Sequence, residues 1–418
     1  MISFSIRKES EKIMIRRSMV ERLFSAASIE RWNDHPRPIQ FTELGKQAHK
    51  MIIAYLVATE EERRNEGAPI SWTALIEGGI FEFLHRVLLT DIKPPIFHMM
   101  MEKSGEKLNR WVLEQLEEDL RGVSPAFRER FENYFFTSSF EREKRILRAA
   151  HYLATKWEFG LVYHWSQSLY GIEETRRSID SQLEEYQDIP SVQEMLSGME
   201  SYSRKGGLYA FLDLVGQLRF QKRWSQTPRI PQTSVLDHML CVAFLAYVVT
   251  VQMELPPLRG RNAFLGGLFH DLPEVLTRDI ISPVKRSVEG LEVLIEEYER
   301  EAMHSKVYPL LSRECGEELR FFTEDVFFQK LRLPSGEILL LEDTPEALSR
   351  KDIPQAWPLD GVLVEICDKL AAYVEASLSI RHGVTSPSLE EARRKVYQRF
   401  GKSRFGSFDM GCLFDFFR

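Results

Sequence analysis

Four side chains in the second half of the chain are of the types that hold a divalent cation: His238, the adjacent pair His270 and Asp271, and the distant Asp368. Imidazole nitrogen and carboxylate oxygen together suit one mid-sized metal ion. Two nitrogens and two oxygens leave open positions on an ion that takes about six ligands, room for a water and a phosphate oxygen. Taken singly, each residue has an ordinary explanation. A lone His on an apolar helix is usually a hydrogen-bonded core residue, and a lone Asp is often a cap or an ion-pair partner. The combination carries the weight. All of these residues interrupt otherwise apolar segments, where a buried His, Asp or Glu is costly unless something compensates it.

The elements that must position them read as helices. FLGGLFHDLPEVL has the pattern of one helix, on which His270 and Glu274 are four apart and share a face, with Asp271 alongside. His238 opens DHMLCVAFLAYVV, apolar nearly all round, and Asp368 interrupts an apolar stripe that includes Val364, Ala371 and Ala372. Runs such as KQAHKMIIAYLVAT and ILRAAHYLATKWEFGLVYHW extend the helical pattern to the first half, so the expected fold is all-α. One segment differs. DVFFQKLRLPSGEILLLED has two strand-like runs about Pro334-Ser335-Gly336 and predicts a small β-hairpin insertion, a wall or lid beside the site.

The chain also repeats itself. RWNDHPRPIQFTELGKQAHKMIIAY from Arg31 lies over RWSQTPRIPQTSVLDHMLCVAFLAY from Arg223, and GGIFEFLHRVLLTDIKPP from Gly78 over GGLFHDLPEVLTRDIISP from Gly266. HYLATKWE from His151 matches DKLAAYVE from Asp368 more weakly. Three blocks in order predict tandem helical bundles, residues 1–200 and 206–418. The boundary is a solvated helix, IEETRRSIDSQLEEYQ, followed by a loop from Pro190 to Gly206-Gly207. At the metal positions the first copy has Lys46, Glu82 and Phe83, and Arg86 where the second has Glu274, so it lacks the ligand set.

Composition narrows the classes. With 44% hydrophobic and 28% charged residues the chain is that of an ordinary globular protein, and its net charge of −7 gives no electrostatic reason to bind a nucleic-acid polymer or an anionic membrane. The four scattered cysteines, without a CxxC pair, and an N-terminus broken by charges point to a cytoplasmic protein. There is no glycine-rich phosphate loop and no serine nucleophile elbow.

His…His-Asp…Asp in this order resembles the signature of the HD-domain metal-dependent phosphohydrolases, and within them the bacterial 5′-deoxynucleotidase group. Arg223-Trp224, HDLPEVLTRDIISPVK and CDKLAAYVEA carry the likeness over most of residues 206–418. The resemblance implies one divalent metal (Mn, Co, Ni, Mg, Fe or Zn) on His238, His270, Asp271 and Asp368. It implies Glu274 handling the water or a proton, Arg223 gripping phosphate, Asp279 near the sugar or the attacked phosphate, and Lys285 as a further phosphate contact. The expected activity is release of phosphate from nucleoside 5′-monophosphates. The alternatives are another nucleotide or phosphodiester, or a non-catalytic metal- or nucleotide-binding regulatory module. Arg278 and the Asp237-His238-Met239 start depart from the group's pattern and would change the pocket's size and charge. The first copy, having lost its ligands and kept its apolar pattern, is expected to cover the second or to help form a homodimer.

Overall fold

The computed structural model describes residues 14–64, 69–90, 92–200, 206–279, 288–342, 344, 348 and 355–418. The fold is all-α with small β insertions, as the periodicity predicts. In the first half the helices are α1 (Arg17–Ser25), α2 (Glu43–Arg63), α3 (Trp72–Leu89), α4 (Pro94–Val123), α5 (Pro125–Phe136), α6 (Glu141–Ser166), α7 (Ile172–Glu184) and α8 (Pro190–Glu200). The second half has α9 (Gly207–Gln217), α10 (Val235–Gln252), α11 (Pro257–Phe269), α12 (Glu274–Thr277), α13 (Leu291–Ala302), α14 (Arg313–Thr323), α15 (Gly361–Arg381), α16 (Pro387–Phe400) and α17 (Gly411–Asp415). One continuous apolar core runs from Ile15 to Phe417 and takes residues from both halves.

At its centre lies α10, whose residues from Val235 to Thr250 are all buried. It begins three residues before His238 because Ser234 and Asp237 form a reciprocal cap. Ser234 Oγ accepts from Asp237 N at 3.1 Å, and Asp237 Oδ2 accepts from Ser234 N at 2.6 Å. Thr42 Oγ1 caps α2 by accepting from Gly45 N at 3.0 Å, and its hydroxyl donates to Asp237 Oδ1 at 2.9 Å, so the N-termini of the two central helices are tied together. Gly267 lets α11 approach α10 closely, since a Cβ there would lie 2.6 Å from the Ala243 backbone nitrogen.

The segment from Phe264 to Leu276 is not the single helix its pattern suggests. α11 ends at Phe269, and His270 to Pro273 form tight turns, with Leu272 N bonded to Phe269 O and Glu274 N to Asp271 O. Pro273 has no N–H to continue the ladder, and its ring clashes with the carbonyl four residues back. In the first half, α3 has His85 in the equivalent place and runs through unbroken.

β1 (Glu30–Arg31) and β2 (Phe41–Thr42) form a short antiparallel pair ahead of α2. The hairpin forms where Pro334-Ser335-Gly336 marks it. β3 (Gln329–Arg332) and β4 (Ile338–Leu340) are antiparallel with Lys330 opposite Leu340, and Gly336 takes a positive φ. A third strand, β5 (Trp357–Asp360), pairs with the other side of β3, and sequence reading missed it because Pro358 argues against a strand. Beyond α7, Pro190 opens α8 where a loop was expected, an N-terminal position that proline suits. Arg261 joins the halves. It is sandwiched between Trp72 at 4.1 Å and Trp357 at 4.7 Å and paired with Glu318 at 2.6 Å.

Candidate metal centre

His238 lies in the first turns of α10, His270 caps the end of α11, and Asp368 sits in α15. These three elements bring His238, His270 and Asp368 together, with one donor atom of each within 4.8 Å of the others, and all three residues are buried. Around an ion with bonds of about 2.1 Å, adjacent donors stand about 3 Å apart and opposite ones about 4.2 Å. The spacing therefore fits one ion. His238 Nε2 is 2.9 Å from Asp368 Oδ1. Asp271 adjoins the group, its Oδ2 3.1 Å from His270 Nε2 and 3.9 Å from His238 Nε2.

The tautomer of His270 decides what the site needs. Its Nδ1 donates to Gly267 O at 2.8 Å, which leaves Nε2 as the acceptor nitrogen. That nitrogen is buried and has no hydrogen-bond partner among the described residues. It faces the Asp271 carboxylate, another acceptor, so a proton or a cation must lie between them. Burial works against a charged His270, but Asp271 outweighs it and raises its pKa. The same proximity holds Asp271 far below the usual carboxylate range against the cost of burial. Asp368 is likewise pulled down despite burial, by Lys369 and then His238, whereas burial and Arg223 lower His238. Two imidazoles and two ionised carboxylates in a buried space make a donor set that a divalent ion would satisfy.

Arg223 reaches this cluster from the loop before α10. Its Nη1 donates to Asp271 Oδ2 at 3.3 Å, and its Nε is 3.7 Å from Glu375. Burial opposes its charge, but Glu375, Asp271, Asp279 and Asp368 together hold it firmly protonated. Asp279 is thereby placed near the Arg223 guanidinium. Glu274 is buried at the start of α12, one turn beyond His270. Lys285 and the stretch about Pro283 lie outside the described residues. Arg278 is exposed and takes a positive φ at the end of α12, while Met239 points into the core.

Sequence reasoning missed the group that organises these. Glu375, two turns along α15 from Asp368, is fully buried. It accepts from Trp224 Nε1 at 2.9 Å and from Thr233 Oγ1 at 2.6 Å, and it faces Arg223 and Arg229. Burial alone would raise its pKa, yet Arg229, Arg223 and His238 bring it down to about 2. The spacing of seven from Asp368, on one helix face, was a usable signal. Lys369 was missed too. Its Nζ donates to Asp368 Oδ2 at 2.7 Å and sits over the Phe327 ring, which also flanks His270. Phe327 leads into β3, so the insertion does contribute a wall.

Residues 215–397 match the family model described as HD domain, which supports placing this stretch in the HD-domain superfamily. No curated protein matches the chain.

Proposed function

We propose that the HD-domain stretch is a divalent-metal-dependent phosphohydrolase that releases phosphate from nucleoside 5′-monophosphates. One observation carries the reading. Three buried donors from three elements lie within 4.8 Å of one another, and one of them, His270 Nε2, is a buried nitrogen with no hydrogen-bond partner among the described residues. His238, His270, Asp271 and Asp368 would hold the ion. When bound, a divalent metal supplies a water of lowered pKa and polarises a phosphoryl oxygen.

The chain's own residues supply the remainder. The planar guanidinium of Arg223 can take two phosphate oxygens, and Glu375 behind it keeps it charged and oriented. Glu274, buried next to the ligand turn, is in place to hold or move a proton. Lys369 stands at the rim, about a third exposed, where it offers an ammonium to an incoming phosphate. Phe327 and the apolar wall keep bulk water out.

The first half is, on this reading, a second copy of the same domain without metal ligands. Several matched features support the duplication. Trp32 and Trp224 share a positive φ, as do Thr90 and Arg278. Trp32 donates to Glu158 as Trp224 does to Glu375, and Glu30 pairs with Thr42 as Lys222 does with Ser234.

The test is to strip the metal, add back manganese, cobalt, nickel or magnesium singly, and measure phosphate release across mono- and diphosphates and phosphodiesters. Activity should depend on added metal, favour a 5′-monophosphate and vanish in Asp368→Ala together with metal binding. Undiminished activity in Asp368→Ala would reject the mechanism.

A further inference from the structure

The outer face of α4 carries an apolar groove with a basic edge. Ser104 leaves helical geometry there, at φ −144° and ψ 18°, and a Ser-Gly pair is a usual place for a helix to kink. The two arms enclose about 400 Å³. Met99, Met100 and Lys103 line the groove from the first arm, and Lys107, Leu108 and Trp111 from the second. Met99 and Trp111 are each 43% exposed, and Ile96, one turn before Met99, is 49% exposed. Neither lysine has an ion-pair partner among the described residues, and the neighbouring Glu106 is held by Arg110.

α13 presents the complementary surface, an apolar ridge with acidic flanks. Val293, Leu294 and Tyr298 stand 57%, 61% and 50% exposed on it. Leu294 and Tyr298 are four apart, and Glu297 and Glu301, three and seven on from Leu294, share their face. Both glutamates are exposed, and neither has an ion-pair partner among the described residues. Across the helix Glu292, Glu296, Glu297, Glu299 and Glu301 stand against Arg300 alone. Glu299 is engaged, accepting from Thr277 Oγ1 at 2.6 Å, which ties α13 to α12, the helix that begins with Glu274. Apolar side chains grouped on a surface in this way mark an interaction site. Groove and ridge are both exposed in one chain, so the chain does not cover either with the other.

We infer that α13 of a second copy of this chain seats in the α4 groove. Leu294 and Tyr298 then lie against Met99, Met100, Leu108 and Trp111, and Glu297 and Glu301 face Lys103 and Lys107. The shapes agree, one concave and one convex, and the charges are opposite. The lengths agree too, since the 12 residues of α13 span about 18 Å, close to the stretch from Met99 to Trp111. One helix in one groove is small against the roughly 800 Å² per partner of a standard stable interface. A twofold axis doubles it, because each copy then gives its α13 and receives the other's. The assembly is therefore a dimer with two equal contacts.

Sedimentation velocity on the full chain, over a concentration series at moderate salt, tests this. The wild type should reach the mass of two chains at micromolar concentration. Lys103→Glu with Lys107→Glu should raise the dissociation constant at least tenfold, and so should Glu297→Lys with Glu301→Lys. Mixed in equal amounts, these two variants should associate again, because each groove then meets a helix of opposite charge. Leu294→Ser alters no charge and should weaken association as well. All five side chains are exposed, so the fold of the single chain does not depend on them. A wild type that stays monomeric leaves the groove to some other occupant and overturns the inference. A dimer that both charge-reversed variants leave intact, or a mixture of the two that stays monomeric, overturns it equally. The measurement involves neither metal nor substrate, so its outcome is separate from that of the hydrolase test.

Discussion

Glu375→Gln should destabilise the protein and loosen its grip on phosphate, and the size of the effect follows from the contacts of the carboxylate. Its oxygens accept from Trp224 Nε1 at 2.9 Å and Thr233 Oγ1 at 2.6 Å and face two buried arginines. Glutamine keeps the shape but has one acceptor oxygen, so its NH2 must turn toward a donor, and the arginines lose their counter-charge. Removing one partner of a buried charged group costs about 3–5 kcal/mol. Linkage gives a similar figure. A carboxylate held at about 2 in the fold, against an ordinary 4.5, contributes about 3 kcal/mol at neutral pH. At about 2 °C per kcal/mol for a long chain, the melting temperature should fall by roughly 6 °C. The folded pKa is depressed, so the stabilisation is complete above about pH 4.5 and is lost as pH falls toward about 2. Thermal melts of metal-free wild type and variant should therefore show a constant gap from neutral pH down to about pH 5 and a shrinking one below it. With metal restored, KM for a phosphomonoester should rise several-fold more than kcat falls, because Arg223 loses its support. A variant melting within about a degree of wild type, or above it, would mean that desolvation offsets these contacts, and the organising role assigned to Glu375 would fall.

Three further changes probe the frame around the site. Lys330 is fully buried, bonded to Glu324 O over the Phe321 ring, and burial brings its pKa down to about 7 although Asp325 and Glu324 favour its charge. Between about pH 7 and its ordinary value the unfolded chain binds the extra proton, so this group's contribution to stability improves as pH rises. Lys330→Met should thus melt higher than wild type at neutral pH, by about 3 kcal/mol after allowing for the lost hydrogen bond, with the gap closing toward about pH 10 in parallel scans. Gly267→Ala would set a methyl 2.6 Å from the Ala243 nitrogen, where backbone cannot yield. Forcing α10 and α11 apart should cost about 1–3 kcal/mol in a denaturant titration and weaken metal binding with it, since each helix carries one of the proposed histidine ligands. Pro273→Ala permits α11 to run on as α3 does. It should change melting by less than about 1 kcal/mol while lowering kcat at least tenfold, because His270 and Asp271 leave the turn that aims them; unchanged kcat would show that the break is incidental.

How far the sequence discloses the site depends on what kind of information each residue carries. His238, His270, Asp271 and Asp368 stand out because a polar residue in an apolar helical run is locally anomalous. The hairpin stands out because Pro334-Ser335-Gly336 is a local turn signal, and both are features of a short window. The break at Pro273 was equally local, but the apolar pattern on either side of it argued for continuity and prevailed. β5 was hidden for the opposite reason, since its Pro358 is tolerated only because that strand lies at a sheet edge, a fact of tertiary pairing. Glu375 and Lys46 are harder still. A Glu in one helix and a Lys in another look like solvated side chains until the fold brings the 223–238 stretch round the one and His151 against the other.

What could have exposed those two residues is the internal repeat, used as a comparison. On the duplication reading, positions that agree between the halves, such as the tryptophans after the arginines and Glu158 with Glu375, are those the shared architecture needs, because the surrounding chemistry differs and they do not. Positions that disagree, Lys46 against His238 and His151 against Asp368, are those released to do different work. The same carboxylate–arginine–tryptophan frame then stands beside the proposed metal cluster in one half and beside the buried Lys46–His151 pair in the other. On that reading the frame is common to both halves, and the exchange of His238 for Lys46 and of Asp368 for His151 removes the ligand set from the first.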